Sequence, residues 1–103
     1  MIKIKHKDTG KVLHTVKGKT LMGANLSGLN LAGADLGGYA LILSDLSWTT
    51  LAGANLFESD LRGADLRGTN FTNAVLRFSD LRCALMNGAD FTGADLTGVT
   101  TGD

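Results

Sequence analysis

The sequence predicts an all-β solenoid in which the chain turns once every five residues, and three observations support this fold class. A large apolar residue stands at every fifth position from Leu21 to Leu96, sixteen times without an insertion or deletion. The 103 residues include 14 glycines and no proline, which suits a chain of dense turns with every backbone N–H available for pairing. A hydrophobic content of 44% with a formal net charge of zero disfavours disorder.

A period of five suits neither regular secondary structure. Five residues of α-helix advance about 500°, so successive apolar side chains would not share a stripe. In a flat strand they would alternate between two faces. The repeated unit is Ala-(Asp/Asn)-Leu-x-Gly, in which Asp and Asn favour turns and Gly supplies left-handed backbone. The apolar residues should therefore meet on a common axis, in a core ladder that includes Leu26, Leu46, Leu66, Phe71, Met86 and Phe91.

These repeats carry a family resemblance. Close matches to the unit include Gly23-Ala24-Asn25-Leu26, Gly33-Ala34-Asp35-Leu36 and Gly63-Ala64-Asp65-Leu66. Over about residues 19–100 the chain resembles the pentapeptide repeat proteins, whose pattern is A(D/N)LxX. The resemblance implies a right-handed quadrilateral β-helix with four pentads per coil, here about four coils. A 20-residue coil also follows from the recurrence of Ser59-Asp60-Leu61-Arg62 as Ser79-Asp80-Leu81-Arg82.

Residues 1–18 do not follow the repeat and are predicted to form an N-terminal β-hairpin cap on a solenoid of residues 19–103. Two alternating runs surround a three-residue loop, Asp8-Thr9-Gly10, which would place Lys7 opposite Lys11 and Gly10 in the left-handed region. One face would then hold Ile2, Ile4, His6, Val12, His14 and Val16. The other face would hold the lysines with Leu13, either as a solvated edge or as a site for phosphate or an acidic partner.

The C-terminal end differs, because Thr97–Asp103 offers no helix or amphipathic element to cover the last coil. An open end of unpaired backbone and apolar side chains tends to find a partner. The sequence therefore predicts a homodimer formed end to end through the C-terminal coil.

Irregular pentads indicate where function would lie. In residues 37–48, Tyr39 takes the small position and Ala40 the Asp/Asn position, so this stretch forms either a regular coil or a bulged loop. Large apolar residues then occupy outward positions, and exposed apolar patches often mark interfaces. The candidate interaction surface consists of Ile42, Leu43, Trp48, Phe57 and Phe78. Alternatively, Tyr39 to Trp48 pack beneath the hairpin.

Charge is distributed unevenly. Residues 1–19 hold six lysines against Asp8, a charge of +5, and residues 20–103 hold four arginines against nine acids, a charge of −5. Asp60 and Asp80 stack with Arg62 and Arg82 on one face, either as exposed ion pairs or as a phosphate-binding patch.

The sequence offers no set of catalytic residues, metal ligands or cofactor-binding motifs. His6 and His14 lack a third ligand, Cys83 lacks a nearby histidine, and the glycines lack a phosphate-loop lysine. With one cysteine, no signal peptide and no apolar span, a cytoplasmic protein is expected, without a membrane partner.

We therefore expect a non-enzymatic structural or protein-interaction module. The resemblance also implies an alternative, a DNA-mimicking binder of DNA gyrase or topoisomerase. That role calls for a long acidic rod, whereas this chain is short, neutral overall and basic at one end. Nucleic acid is not expected as a partner.

Overall fold

The computed structural model describes residues 1–103, which form two strands and a helix-free succession of β-bridges. Strand β1 spans Ile2–Lys5 and strand β2 spans Val12–Val16. Beyond them, every parallel bridge joins residues twenty positions apart, from Asn25↔Asp45 to Asp80↔Thr100. Since one side of the solenoid holds five residues, four sides make one coil of twenty. No helix of the chain has the length and apolar character needed to cross a membrane.

The chain turns at the two residues that follow each central apolar residue. The second of them has a positive φ in all sixteen pentads, for example 68° at Gly23 and 71° at Gly98. In fifteen of the sixteen, the next N–H donates back to the central carbonyl, as from Ala24 to Leu21 at 3.1 Å. This bond, with a left-handed third residue, is the geometry of a type II turn. The preceding Asp or Asn side chain supports many of these turns, as where the Ser27 N–H donates to Asn25 Oδ1 at 3.1 Å.

Short hydrogen bonds join each coil to the next. Leu26 N–H donates to the Asp45 carbonyl at 2.8 Å, and Asp45 N–H donates to the Ala24 carbonyl at 2.9 Å. This pattern holds one residue of each pentad directly above its equivalent, so the central side chains stack along one axis. The side chains of Leu26, Leu46, Leu66 and Phe71 are fully buried there.

The axis is less well covered at its C-terminal end. The Phe71 and Phe91 rings stack with centroids 5.0 Å apart and planes 3° from parallel. Met86 and Phe91 are only half-buried, and Leu96 is 43% exposed, because no further coil lies upon them.

The hairpin has a register that alternation alone did not predict. Ile2 pairs with Val16 and Ile4 with His14, but Lys5 then pairs with Val12, which leaves Leu13 as a β-bulge. The His6 N–H donates to the Lys11 carbonyl at 2.8 Å, so the loop is the four residues 7–10. The predicted three-residue loop with Lys7 opposite Lys11 is therefore wrong, although Gly10 is left-handed as expected, with a φ of 73°.

The bulge exchanges two side chains between the faces of the hairpin. Leu13, predicted on the lysine face, packs against the core beside Ile2 and Val16. Val12, predicted on the apolar face, is 42% exposed. The extra residue shifts the alternation of β2 by one position on the loop side of the bulge, so Leu13 and Val12 exchange faces while His14 and Val16 keep theirs.

The hairpin joins one side of the first coil in antiparallel fashion. Lys7 N–H donates to the Gly33 carbonyl at 2.9 Å, and Asp35 N–H donates to the Lys5 carbonyl at 2.8 Å. Between these bonds, His6 bridges to Ala34. The Ile4 side chain is fully buried within the same core as the axial leucines.

Residues 37–48 form a regular part of the solenoid. Ala40 bridges to Asp60, and Asp45 bridges to Asp65, in the same register as the neighbouring coils. The bulged-loop alternative is therefore wrong. Leu43 and Trp48 do not pack beneath the hairpin, because they are 68% and 74% exposed, whereas Tyr39 is partly buried against the core.

Candidate interaction surface

The left-handed position of the pentad carries a side chain in only six of sixteen repeats. Glycine fills the other ten, since it adopts a positive φ without steric cost. Leu43, Trp48, Glu58, Asn73, Phe78 and Cys83 adopt φ between 55° and 63° there. A left-handed conformation costs a non-glycine residue about 1–2 kcal/mol.

Three of these six residues are large, apolar and exposed. They are Leu43, Trp48 and Phe78, with 68%, 74% and 54% of the residue surface accessible. Each therefore combines an unfavourable backbone conformation with an apolar group in water. The sequence revealed their outward position but not their backbone conformation.

Each of these side chains lies over a glycine one coil further on. A Cβ added at Gly63 would come within 2.8 Å of Leu43 Cδ2. A Cβ at Gly68 would overlap the Trp48 ring, and one at Gly98 would overlap the Phe78 ring. The large residues thus lie along the corners of the solenoid, parallel to its axis, in space that only glycine leaves free.

The five residues predicted as an interaction surface occupy three successive corners. Phe57 and Phe78 meet edge to face, with ring centroids 6.1 Å apart and planes at 79°. Ile42, which is half-buried, and Leu43 lie at the next corner, and Trp48 at the one after it. The structure thus brings two of the five into contact and distributes the others around the second coil.

Two further exposed apolar residues lie outside the predicted set. Met22, 53% exposed, stands one coil above Ile42, and Leu85, 49% exposed, takes an outward position usually held by Asp or Asn. The departure of Leu85 from the repeat was the signal that could have identified it.

The arginines are engaged by neighbouring carboxylates. Arg62, Arg67 and Arg82 each contact the Asp two residues earlier at 2.7 Å, and Arg77 lies 3.5 Å from Asp95. The Arg77 guanidinium also lies 5.9 Å from the centre of the Phe78 ring. All four arginines are about half exposed, which favours exposed ion pairs over a phosphate-binding patch.

These contacts shift the acidity of the carboxyl groups. The hydrogen bond from Arg82 lowers the pKa of Asp80 from 3.8 to about 2, with help from the Arg82 N–H and the charge of Arg62. Hydrogen bonds from Arg62 and Arg67 likewise lower the pKa values of Asp60 and Asp65. These aspartates therefore remain ionised at neutral pH and serve the turns and ion pairs.

The imidazole of His6 serves the hairpin loop and lies over Gly33. His6 Nδ1 accepts hydrogen bonds from the N–H groups of Asp8 and Thr9, at 3.1 and 3.4 Å. No three of the His, Cys, Asp and Glu side chains are arranged to hold a metal ion. Cys83 is exposed and forms no disulfide.

Comparison with known proteins adds a family assignment and a set of solved structures. Eight copies of the family model described as Pentapeptide repeats match residues 20–56 and 59–98. A comparison with curated proteins found no match.

Several solved structures share the fold. The pentapeptide repeat protein Rfr23 from the cyanobacterium Cyanothece 51142 is 33% identical with a TM-score of 0.75, over 76% of this chain and 53% of that one. The pentapeptide repeat protein alr5209 from Nostoc PCC 7120 is 36% identical with a TM-score of 0.71, over 73% and 62% of the two chains. The plasmid-mediated fluoroquinolone resistance protein QnrB1 is 26% identical with a TM-score of 0.68, over 78% and 38%.

The chain thus spans between about two fifths and three fifths of the length of these structures. Their fold is the right-handed quadrilateral β-helix, and the similarity assigns the same fold to this chain, as the sequence predicted.

The glycines beneath the large residues give a test of this corner packing. Gly68→Ala should lower the free energy of unfolding more than Gly28→Ala, by a further 1–3 kcal/mol or so, because the new methyl group meets the Trp48 ring. Gly28 is the matched control, since it stands on the same corner with φ of 68° against 67° and has open space around its Cβ position. Urea unfolding measures the free energy of unfolding of both variants. Adding Trp48→Gly should remove the difference, and equal losses in the two single variants would contradict the packing described.

The ion pairs give a pH dependence. Because the pKa of Asp80 is lower in the folded chain than its usual 3.8, its stabilising contribution is complete above about pH 4 and is lost as the pH falls towards 2. Asp80→Asn keeps an oxygen for the turn, so it should destabilise at neutral pH by less than about 1 kcal/mol, and this difference should vanish near pH 2. Urea unfolding midpoints measured across this pH range test the prediction. Arg82→Gln removes the other partner of the ion pair and should show the same pH dependence. A difference that persists in acid would exclude the ion pair as its source.

Proposed function

The chain belongs to the pentapeptide repeat family, and we propose that it acts as a non-enzymatic protein-interaction module. In this proposal residues 19–103 form a rigid solenoid of about four coils, and residues 1–18 cap its first coil through the buried Ile4 side chain. The solenoid presents Ile42, Leu43, Trp48, Phe57 and Phe78 to a protein partner. The observation that carries it is the set of exposed apolar residues held at left-handed positions.

Leu43, Trp48 and Phe78 each carry two energetic costs in the free protein. Glycine serves ten of the sixteen left-handed positions without strain, so Leu43, Trp48 and Phe78 are not required by the turn. They add strain to the free protein and leave apolar surface in water. Burial against a partner offsets both costs. Trp and Arg are enriched among the residues that contribute most to protein interfaces. This surface contains Trp48, and Arg77 lies against Phe78.

The polar residues support a binding role rather than catalysis. Asp45 accepts the Ser47 N–H at 2.9 Å, and Asp90 accepts the Thr92 N–H at 3.0 Å, so these carboxylates stabilise turns. The arginines are paired with other aspartates.

We also propose that two copies associate end to end through the C-terminal coil. The N–H groups of Met86, Phe91 and Leu96 donate to no other backbone group, whereas the equivalent groups from Leu26 to Leu81 all donate to the next coil. The partly exposed side chains of the same residues would become buried between the two copies.

A DNA-mimicking binder of DNA gyrase is the second candidate. The similarity to QnrB1 favours it, since that protein is a plasmid-mediated fluoroquinolone resistance protein. The pairing of Asp60, Asp65, Asp80 and Asp95 with arginines weighs against it, because a mimic of DNA needs uncompensated carboxylates along its sides.

The interaction surface is tested by variants that remove it while relieving strain. Leu43→Gly/Trp48→Gly should keep or raise the stability of the fold, since a left-handed glycine has no steric cost, and should abolish partner capture. The control, Glu58→Gly/Asn73→Gly, places glycine at two polar residues with the same left-handed φ and should capture normally. The measurement is affinity capture from the source cell, with urea unfolding of each variant.

Recovery of the same proteins by the wild type and by the apolar double variant would reject this surface. Gyrase subunits recovered equally by every variant would favour the second candidate.

The end-to-end association predicts a dimer at micromolar concentration. Leu96→Asp should convert it to a monomer, because a buried carboxylate at the joint would be unpaired. Analytical ultracentrifugation gives the mass, with Leu85→Asp as the control on the side of the last coil. A wild-type monomer throughout this range would reject the dimer.

A further inference from the structure

The outer face of the hairpin gathers lysines around one apolar residue. The antiparallel register sets Lys3 opposite Thr15 and Lys5 opposite Val12, on the face that points away from the buried Ile4. Lys17 follows β2 in the same alternation. Because the bulge turns Val12 outward, 42% of it is exposed between these lysines. We call Lys3, Lys5, Val12, Thr15 and Lys17 the lysine face.

The charges of the lysine face are uncompensated. All the ion pairs of the protein involve arginines, and Lys3, Lys5 and Lys17 make neither an ion pair nor a side-chain hydrogen bond. Lys11 and Lys19 lie exposed at the margins, and Asp8 in the loop is the single acid of residues 1–19. The hairpin end therefore presents a field of one sign.

The acidic solenoid does not cancel this field. The molecule measures 31 × 25 × 22 Å, and coils stack about 4.8 Å apart, so most carboxylates lie two or more coils from the hairpin. The Debye length is about 8 Å at physiological ionic strength, which screens such distances. Asp35 is the acid that lies beside β1, and its Oδ1 accepts hydrogen bonds from Gly37 and Asn55. The whole-chain charge of zero thus does not describe this end, and the expectation of no membrane partner, which rested on the lack of an apolar span, does not address binding by surface charge.

The composition of the face indicates the kind of surface it fits. Residues 1–61 contain no arginine, which argues against bidentate recognition of one phosphate. The hairpin contains no Phe, Tyr or Trp on which a nucleic-acid base could stack, and neither of its histidines belongs to the lysine face. With Lys11 and Lys19 at its margins, the face gathers five lysines around Val12. Clusters of four to eight basic residues with a small apolar component are typical of sites that bind anionic lipid headgroups.

We propose that the lysine face docks the protein end-on against an anionic lipid surface, with Val12 entering the headgroup region. This role goes beyond the proposed protein-interaction function and uses different residues. In this orientation the solenoid axis points away from the bilayer, so the corners that carry Leu43 and Trp48 stay accessible. The protein would hold a binding surface at a set distance above the membrane.

Vesicle co-sedimentation of the full chain tests the proposal. Binding is expected to vesicles of phosphatidylcholine mixed with phosphatidylserine, and not to phosphatidylcholine alone. Each lysine near an anionic surface strengthens binding about fivefold, so Lys3→Gln/Lys5→Gln/Lys17→Gln should weaken it about 100-fold. The matched control, Arg62→Gln/Arg67→Gln/Arg82→Gln, removes the same three charges from the solenoid and should bind as the wild type does.

Salt and competing polyanions complete the test. Raising the salt to about 1 M, where the Debye length is about 3 Å, should release the wild type, a result that needs no variant to fold. Equal losses in the two triple variants, or equal binding to neutral vesicles, would overturn the proposal. Tighter binding of duplex DNA than of anionic vesicles at the same salt would also overturn it and would make the face a nucleic-acid site.

Discussion

A positive φ at the fifth residue of every repeat makes the chain turn the same corner sixteen times, and the core, the hydrogen bonds and the surface all depend on it. The turn brings each central side chain back to the axis, where it is shielded from water. It also aligns backbone groups twenty residues apart, so that each coil pairs with the next. A single right-handed φ at this position would direct the following side away from the axis and break both relations at once.

The sequence predicted the parts of the fold that a strict period determines. The axial leucines and the 20-residue offset follow from spacing, because one insertion would have displaced every later side chain. The hairpin was harder, since alternation cannot locate a bulge, and the slip at Leu13 reversed the predicted faces of Leu13 and Val12. For Leu43 and Trp48 the pattern indicated an outward position. The structure adds that the Leu43 side chain lies over Gly63 and the Trp48 ring over Gly68.

The surface chemistry changes with height along the solenoid. Lysines without carboxylate partners occupy the hairpin, exposed apolar corners follow on the second and third coils, and arginines paired with aspartates begin at Arg62. The two cation types thus have different tasks. Arginine, with its planar fork, holds carboxylates within the fold, whereas lysine leaves a diffuse charge free for an external surface. This order separates the two proposed binding functions in space, so that one need not obstruct the other.

The corner packing also restricts how such a solenoid can evolve by duplication. A tandem copy of residues 41–60 would place a second tryptophan where Trp48 now lies over Gly68, and a second leucine where Leu43 lies over Gly63. A copy of residues 21–40, whose four corners are all glycine, would meet no such obstacle. Coils that look equivalent by their repeat are therefore not interchangeable. A duplicated coil avoids steric clashes only where the adjacent left-handed positions are glycine.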